Sequence, residues 1–221
     1  MYGFNHLPPI QNAISVTEFI GAKDAVVTNN NGWSVYSVPQ SATFIYVLCI
    51  GPGGNGGTPI VGAATSGGGG GGSGAIVKAL LPVMLIPRTL YIFVGGSVTS
   101  GVQTTLVSVY PTDPGSSVAN FIISADDGGR GAVAGTAGAA GAVMTVASAK
   151  LAGTLALWVS QVGVAGGAGS TTNGAAVTAL ATLPLTGGGG GGGSSAGTGG
   201  NITGAGPFPT ISGGASGLNP G

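Results

Sequence analysis

Very few side chains of this sequence could do acid–base or nucleophilic chemistry. His6 is the only histidine and Cys49 is the only cysteine, so a Ser-His-Asp or Cys-His arrangement has one possible base. Cys49 lies in the apolar run FIYVLCI, where a buried thiol behaves as a small hydrophobic side chain. We therefore expect no catalytic residues, and we expect His6 to lie at a surface or an interface.

Asp126 and Asp127 are the one pair of adjacent carboxylates, and Gly-Gly-Arg-Gly follows them. Paired carboxylates can do acid–base work or bind a cation. Such a site needs further partner groups, and Asp113 is the only other acidic residue nearby. We interpret the pair as a turn that is solvated or paired with Arg130, and we expect no metal ion.

The stretch GPGGNG at 51–56 satisfies the dinucleotide-binding pattern G-x-G-x-x-G and directly follows an apolar run. That site also needs a helix to open at the glycines, so that its N-terminal amides hold the pyrophosphate. The following residues, GTPIVGAATSGGGGGG, cannot form such a helix, and no acidic residue follows at the required spacing. Neither long glycine run is followed by the Lys-Ser/Thr of a P-loop. We expect no cofactor.

Charge and hydropathy exclude further classes of function. Only 5% of the 221 residues are charged, and the formal net charge is zero. Nothing in this pattern resembles the basic surface that binds nucleic acid, whereas zero net charge favours association, so we expect a homo-oligomer. The uncharged stretch 131–149 consists mostly of Gly, Ala, Ser and Thr, which insert poorly into a bilayer, so we expect no membrane span.

Short apolar segments bounded by Gly, Pro, Ser or Asp dominate the chain and predict strands. The nearest helix candidate, from Ser15 to Val27, is interrupted by Gly21. We predict an all-β fold, a small β-sandwich or jelly-roll-like domain with packed polyglycine II-type extended segments. The predicted strands are 44–50, 75–81, 89–95, 104–110, 119–125 and 155–164.

Two glycine runs need a physical explanation, because ordering glycine costs more conformational entropy than ordering any other residue. Glycine can form an extended left-handed helix with three residues per turn, in which several chains pack side by side where no Cβ fits. The chain also has GG, GAG and GAAG elements at 128–141, 163–169 and 197–206 that could supply neighbours. We predict that both runs are packed rather than flexible spacers. Their glycines are Gly67, Gly68, Gly69, Gly70, Gly71 and Gly72 in the first run, and Gly187, Gly188, Gly189, Gly190, Gly191, Gly192 and Gly193 in the second.

The order of these elements resembles the glycine-rich domain of bacteriophage appendage proteins. Four stretches carry the resemblance: WSVYSVPQSATFIYVLCIGPGGNGG (33–57), SGGGGGGSGAIVKALLPVMLIPRTLYIFVGG (66–96), VANFIISADDGGRGA (118–132) and LTGGGGGGGSSAGTGG (185–200). The chain departs from the family pattern in MLIPRTL, where Arg88 follows Pro87, and in the Ala-, Thr- and Val-rich stretch 133–186.

The resemblance implies a non-enzymatic virion protein, made in the host cytoplasm: a tail-fibre, tail-tip or head-fibre component, in some relatives an adhesin that attaches to the host. Its partners would be other virion proteins and a host surface glycan or protein. Ser170, Thr171, Thr172 and Asn173 are candidate receptor contacts. An extracellular glycine-rich structural or ice-binding protein is the alternative, and MYGFNHLPPI, which lacks the features of a secretory signal, argues against it.

Two units are expected within the chain. Residues 33–221 would form the glycine-rich β domain. Residues 1–32 would form an N-terminal attachment arm or an edge strand, because their proline-containing start cannot form a helix and an extended arm can add to a neighbouring sheet.

Overall fold

A computed structural model describes residues 17, 33–58, 67–96, 104–111, 120–142, 157–170, 173–178 and 200–203. Within these residues the fold is all-β, as predicted, and no α-helix occurs. The strands are β1 (Trp33–Ser37), β2 (Phe44–Ile50), β3 (Ile76–Pro82), β4 (Thr89–Phe93), β5 (Thr105–Ser108), β6 (Phe121–Ala125), β7 (Leu157–Gln161), β8 (Val177–Thr178) and β9 (Ile202–Thr203).

Two antiparallel sheets form a small β-sandwich. The first has the strand order β1-β4-β5-β6 and the second has the order β2-β3-β7. In addition, β8 and β9 make a short parallel pair. Val83–Leu85 forms a 3₁₀ turn that connects β3 toward β4, and Val133–Gly135 forms another beyond β6.

The core lies between the two sheets and is made of aliphatic side chains. Leu81 from the second sheet and Leu90 and Ile123 from the first are at most 1% exposed. A smaller cluster at one side joins Phe93, Leu106 and Phe121, with Trp33 packed against it. Inward-facing residues of both sheets therefore supply the hydrophobic free energy, as the alternating pattern of strands requires.

Four strands border a glycine-rich layer at one end of the sandwich. Residue 51 follows β2, residue 75 precedes β3, residue 126 follows β6 and residue 162 follows β7. All four junctions lie at the same end of the two antiparallel sheets. The chain therefore enters and leaves this layer several times, and the positions of the strands determine where the glycine-rich segments meet the sheets.

Candidate functional site, a packed glycine lattice

Five extended segments lie side by side beyond the sheets, and we refer to them together as the glycine lattice. Segment I is 51–58, segment II is 67–75, segment III is 126–132, segment IV is 136–142 and segment V is 162–170. Segment II is buried along its whole length. The first predicted glycine run, Gly67 to Gly72, lies in this central segment, while the second run, Gly187 to Gly193, lies outside the described residues.

Backbone hydrogen bonds join segment II to its neighbours at every third residue. The amides of Gly51, Gly54 and Gly57 in segment I donate to carbonyls of segment II at 2.7–2.8 Å. On another side of segment II, Gly69, Gly72 and Ala75 donate to segment III at 2.9–3.2 Å. A bond at every third residue is the repeat expected of an extended helix with three residues per turn, which has no internal hydrogen bonds and satisfies its polar groups through neighbours.

The remaining contacts close the lattice around segment II. Its residues 67, 70 and 73 donate to segment V, and Gly138 and Gly141 of segment IV donate to its carbonyls. The outer segments also bond to one another, with III donating to I and IV, and with V donating to IV. Segment II therefore has four hydrogen-bonded neighbours among the described residues, which explains why it carries almost no side chains.

Close backbone approach is the reason that glycine is required in segment II. A Cβ added at Gly72 would fall on the carbonyl oxygen of Ala139 in segment IV, and one added at Gly71 would fall on the carbonyl oxygen of Gly54 in segment I. Gly53 is different, because the nearest atom to an added Cβ is 3.7 Å away. The neighbouring segments therefore require glycine at positions 71 and 72, but not at position 53.

Side chains enter the lattice only where they fit or face outward. Ser73, in segment II, uses its hydroxyl Oγ to accept a 2.8 Å hydrogen bond from the amide of Val164 in segment V. Asn55, Thr58 and Arg130 are exposed on the outer surface of segments I and III. Gly135 links segments III and IV with a φ of 103°, a conformation that favours glycine.

The acidic pair begins segment III, so the interpretation of Asp126 and Asp127 as a turn is wrong. The amide of Asp126 donates to the carbonyl of Ala142, and the carbonyl of Asp126 accepts from the amide of Ala75. The carboxylate of Asp126 accepts a 3.1 Å hydrogen bond from the hydroxyl of Thr104. Burial raises the pKa of Asp127. A hydrogen bond from the backbone of Asp127 lowers this pKa, and the nearby charge of Asp126 raises it. No ion pair to Arg130 occurs in the described part of the chain.

Cys49 lies inside the sandwich and takes no part in the lattice. Its side chain is 2% exposed, and desolvation by burial raises the pKa of the thiol to about 12. The thiolate is the reactive form, so this environment makes Cys49 a packing residue.

The glycine pattern at 51–56 forms most of segment I. Its amides at 51 and 54 donate to segment II, and its carbonyls at 52 and 55 accept from segment III. These groups are therefore used within the lattice and are not directed at a ligand. His6 lies outside the described residues. Among the residues that the structure does describe, no three His, Cys, Asp or Glu side chains come together as a metal site requires.

The candidate receptor residues follow the end of segment V. The carbonyl of Ser170 accepts a 2.9 Å hydrogen bond from Gly67, and Asn173 is exposed. Thr171 and Thr172 lie outside the described residues. Segment V leaves β7 at residue 162, so Ser170 lies at the end of the lattice that is far from the sheets, close to the turn of Gly135, whose carbonyl accepts from Gly169.

A shallow depression lies at the opposite end of the molecule and was not indicated by the sequence. The residues that line it are Leu85, Pro87, Arg88, Thr89, Tyr91, Val109 and Tyr110. Because β6 runs toward the lattice and β5 is antiparallel to it, the residues that follow β5 lie at the end of the sandwich away from the lattice. The sequence placed Tyr110 as the last residue of the predicted strand 104–110, but the observed strand β5 ends at Ser108, so Tyr110 is free to line this surface.

Comparisons with known proteins return no relatives: no protein-family model, no curated protein and no solved structure matches the chain. Across the portion that the structure covers, we find no helix with the length and apolar character needed to cross a membrane.

Proposed function

We propose that the chain is a non-enzymatic structural protein of a bacteriophage particle, a component of a tail fibre, head fibre or similar appendage. The glycine lattice is the observation that carries this proposal. Three of the four stretches whose order resembles phage appendage proteins, at 33–57, 66–96 and 118–132, contribute strands and lattice segments that pack against one another. A chain that used its glycines as spacers would not bond them at every third residue.

The physical character of the lattice suits a particle-borne body. Its segments are joined by backbone hydrogen bonds. The central segment has no long side chains whose conformations would have to be ordered. Many of the outward-facing positions, such as Thr58 and Ala165, are exposed. Such a body can vary its surface and its loops while its interior stays the same.

Host contact, in this proposal, involves the loop that contains Ser170, Thr171, Thr172 and Asn173. Ser170 lies at the far end of the lattice, at a maximum distance from the sheets along segment V. A loop placed there is presented to a surface glycan or protein of the host by a rigid support. The depression near Tyr110 lies at the other end of the sandwich.

Attachment to the particle is assigned to residues 1–32. All of them except Thr17 lie outside the described residues, so this assignment rests on the sequence. They directly precede β1, an outer strand of the first sheet, and an extended arm that leaves a sheet edge can add a strand to a neighbouring protein.

The test is the composition of purified particles. Phage particles from cells that encode the chain are purified on a density gradient, digested and identified by mass spectrometry, and antibodies against residues 33–221 are located by electron microscopy. We expect the chain in the particles and the antibodies on an appendage. Absence of the chain from particles that infect normally would overturn the proposal.

A deletion of residues 1–12 separates attachment from folding. The shortened chain is expected to keep the circular dichroism spectrum of the intact chain and to be missing from particles. Normal incorporation of the shortened chain would contradict the role of the arm, while the body and its presence in the particle would stand on the first measurement.

A further inference from the structure

The outward face of β2 is apolar and exposed. Phe44, Tyr46, Leu48 and Ile50 are each 49–55% exposed. The solvent face of an antiparallel sheet usually carries polar side chains. The neighbouring strand β3 is paired on both sides, with β2 and β7, and its outward-facing residues are buried or half-buried. A second neighbouring strand therefore reduces the exposure of this face.

On its outer edge, β2 pairs with no strand among the described residues. At the two ends of the β2–β3 ladder, the carbonyl of Thr43 accepts from Val83 at 2.9 Å and the amide of Gly51 donates to Ala75 at 2.8 Å. In an antiparallel ladder alternate residues bond to the same neighbour, so the odd-numbered residues of β2 bond to β3. The amides and carbonyls at 44, 46, 48 and 50 therefore point away from β3, and no strand lies on that side within the described residues.

Nothing in β2 guards this edge. Natural sheets protect an open edge with lysine, proline, a bulge or a very short strand. β2 has seven residues, FIYVLCI, and none of these features. An edge of this kind pairs readily with another strand.

We propose that β2 pairs with the β2 of a second copy of this chain, antiparallel, about a twofold axis at Val47. This register places Tyr46 opposite Leu48 and Phe44 opposite Ile50 of the other copy. The residues whose amides and carbonyls point outward then face one another, which forms about eight backbone hydrogen bonds. The two three-stranded sheets become one continuous sheet.

A second copy fits this edge because the strand matches itself. Aromatic side chains at one end of β2 meet aliphatic side chains at the other, a favourable cross-strand combination. β2 carries no charge, and among the described residues the nearest charged side chain on this face, Lys78, lies on β3 opposite Leu48. The two copies of Lys78 would be separated by three strand spacings, about 14 Å, so like charges do not oppose the pairing.

The area buried indicates which class of interface to expect. Reducing the exposure of four large side chains from about half to the level of β3, together with covering the strand backbone, buries on the order of 400 Å² per copy, about half of a standard interface. Interfaces of this size are weak and transient, so we expect a reversible dimer rather than an obligate one. This inference does not depend on the proposed role in a phage particle.

Sedimentation velocity of the full chain over a concentration series is the first test. The mass is expected to rise from 20.7 kDa toward twice that value through the micromolar range. Tyr46→Lys, which places a guarding lysine on the edge, and Leu48→Pro, which removes an outward-pointing amide, should each weaken the dimer roughly 100-fold. Val35→Lys is the matched control, because Val35 is 61% exposed on β1, the outer strand of the other sheet, and it should leave association unchanged.

Disulfide formation tests the register directly. In a Cys49→Ala background, chains with Tyr46→Cys mixed with chains with Leu48→Cys should form mixed disulfides faster than either chain forms its own. The cysteine substitutions add neither a charge nor a proline to the edge of β2. This experiment therefore tests the pairing even if the lysine or proline variant fails to fold. A wild-type chain that stays monomeric throughout, a dimer that Val35→Lys disrupts equally, or cross-linking without the 46–48 preference would each overturn the proposal.

Discussion

The sandwich and the glycine lattice are continuous along the chain, yet they are stabilised by opposite features of the sequence. In the sandwich, Leu81, Leu90 and Ile123 are almost fully buried, and their burial supplies the free energy. In the lattice, segment II is equally buried but has no large side chain, and its polar backbone groups bond to four neighbours. Burial by itself therefore says little about what a substitution will do; the identity of the buried group, side chain or backbone, decides the outcome.

The largest effect is expected when a methyl group is added to the lattice. Gly72→Ala would place a Cβ on the carbonyl oxygen of Ala139, so segments II and IV must separate and lose hydrogen bonds. We expect the free energy of unfolding to fall by about 4 kcal/mol or more, as measured by urea denaturation followed by circular dichroism. Gly53→Ala is the matched control, since its nearest contact is at 3.7 Å, and it should change stability by at most about 0.5 kcal/mol. Equal losses in the two variants would remove the steric basis of the comparison.

Removing side-chain atoms from the sandwich should have the next largest effect. Leu81 is 0% exposed, and Leu81→Ala would leave a cavity between the sheets, which costs about 3 kcal/mol. The same denaturation measurement applies. Met84→Ala is the control, because Met84 is 88% exposed and its truncation should be nearly neutral. A loss at Leu81 no greater than that at Met84 would contradict the assignment of Leu81 to the core.

Ser73 sharpens the comparison, since it carries the only polar side chain of segment II and uses it in a hydrogen bond to segment V. Ser73→Ala keeps the Cβ and leaves the amide of Val164 without its 2.8 Å acceptor, at a cost of about 1–3 kcal/mol. Hydrogen exchange measured by NMR should show faster exchange of the Val164 amide. Ser160→Ala, at an exposed position of β7, should alter neither stability nor that exchange rate; an unchanged Val164 amide in Ser73→Ala would argue against the bond.

Most strands of the sandwich were predictable because their residues are apolar, β-branched or aromatic and end at turn residues. The prediction for β2 has the observed bounds of 44–50. β1 was missed because Trp33–Ser37 contains two serines and no long apolar run. Its pairing with β4 stabilises it as a strand. β7 was predicted to continue to 164 but ends at Gln161, because the chain enters segment V, where hydrogen bonds repeat every three residues.

The lattice was predictable in kind but not in its arrangement. Steric reasoning about glycine indicates packed extended segments, and the elements predicted to supply neighbours at 128–141 and 163–169 overlap segments III, IV and V. The sequence does not reveal which segment lies next to which, since glycine has no side chain to specify a partner. The strands that enter the lattice specify it instead. The exposed face of β2 was also missed, because an apolar run has the same appearance whether one or both of its faces are covered.

The hydrogen-bond repeat of the lattice restricts how the length of this chain can change. Each segment presents the same side to a given neighbour only once every three residues. Inserting or removing one residue within segment II would turn all later residues by about a third of a revolution, and the positions that must be glycine would face the wrong neighbours. Adding three residues to each of several adjacent segments would lengthen the lattice by one repeat, about 9 Å, and leave every contact type in place. Length variation in this body is therefore expected in units of three, shared among neighbouring segments.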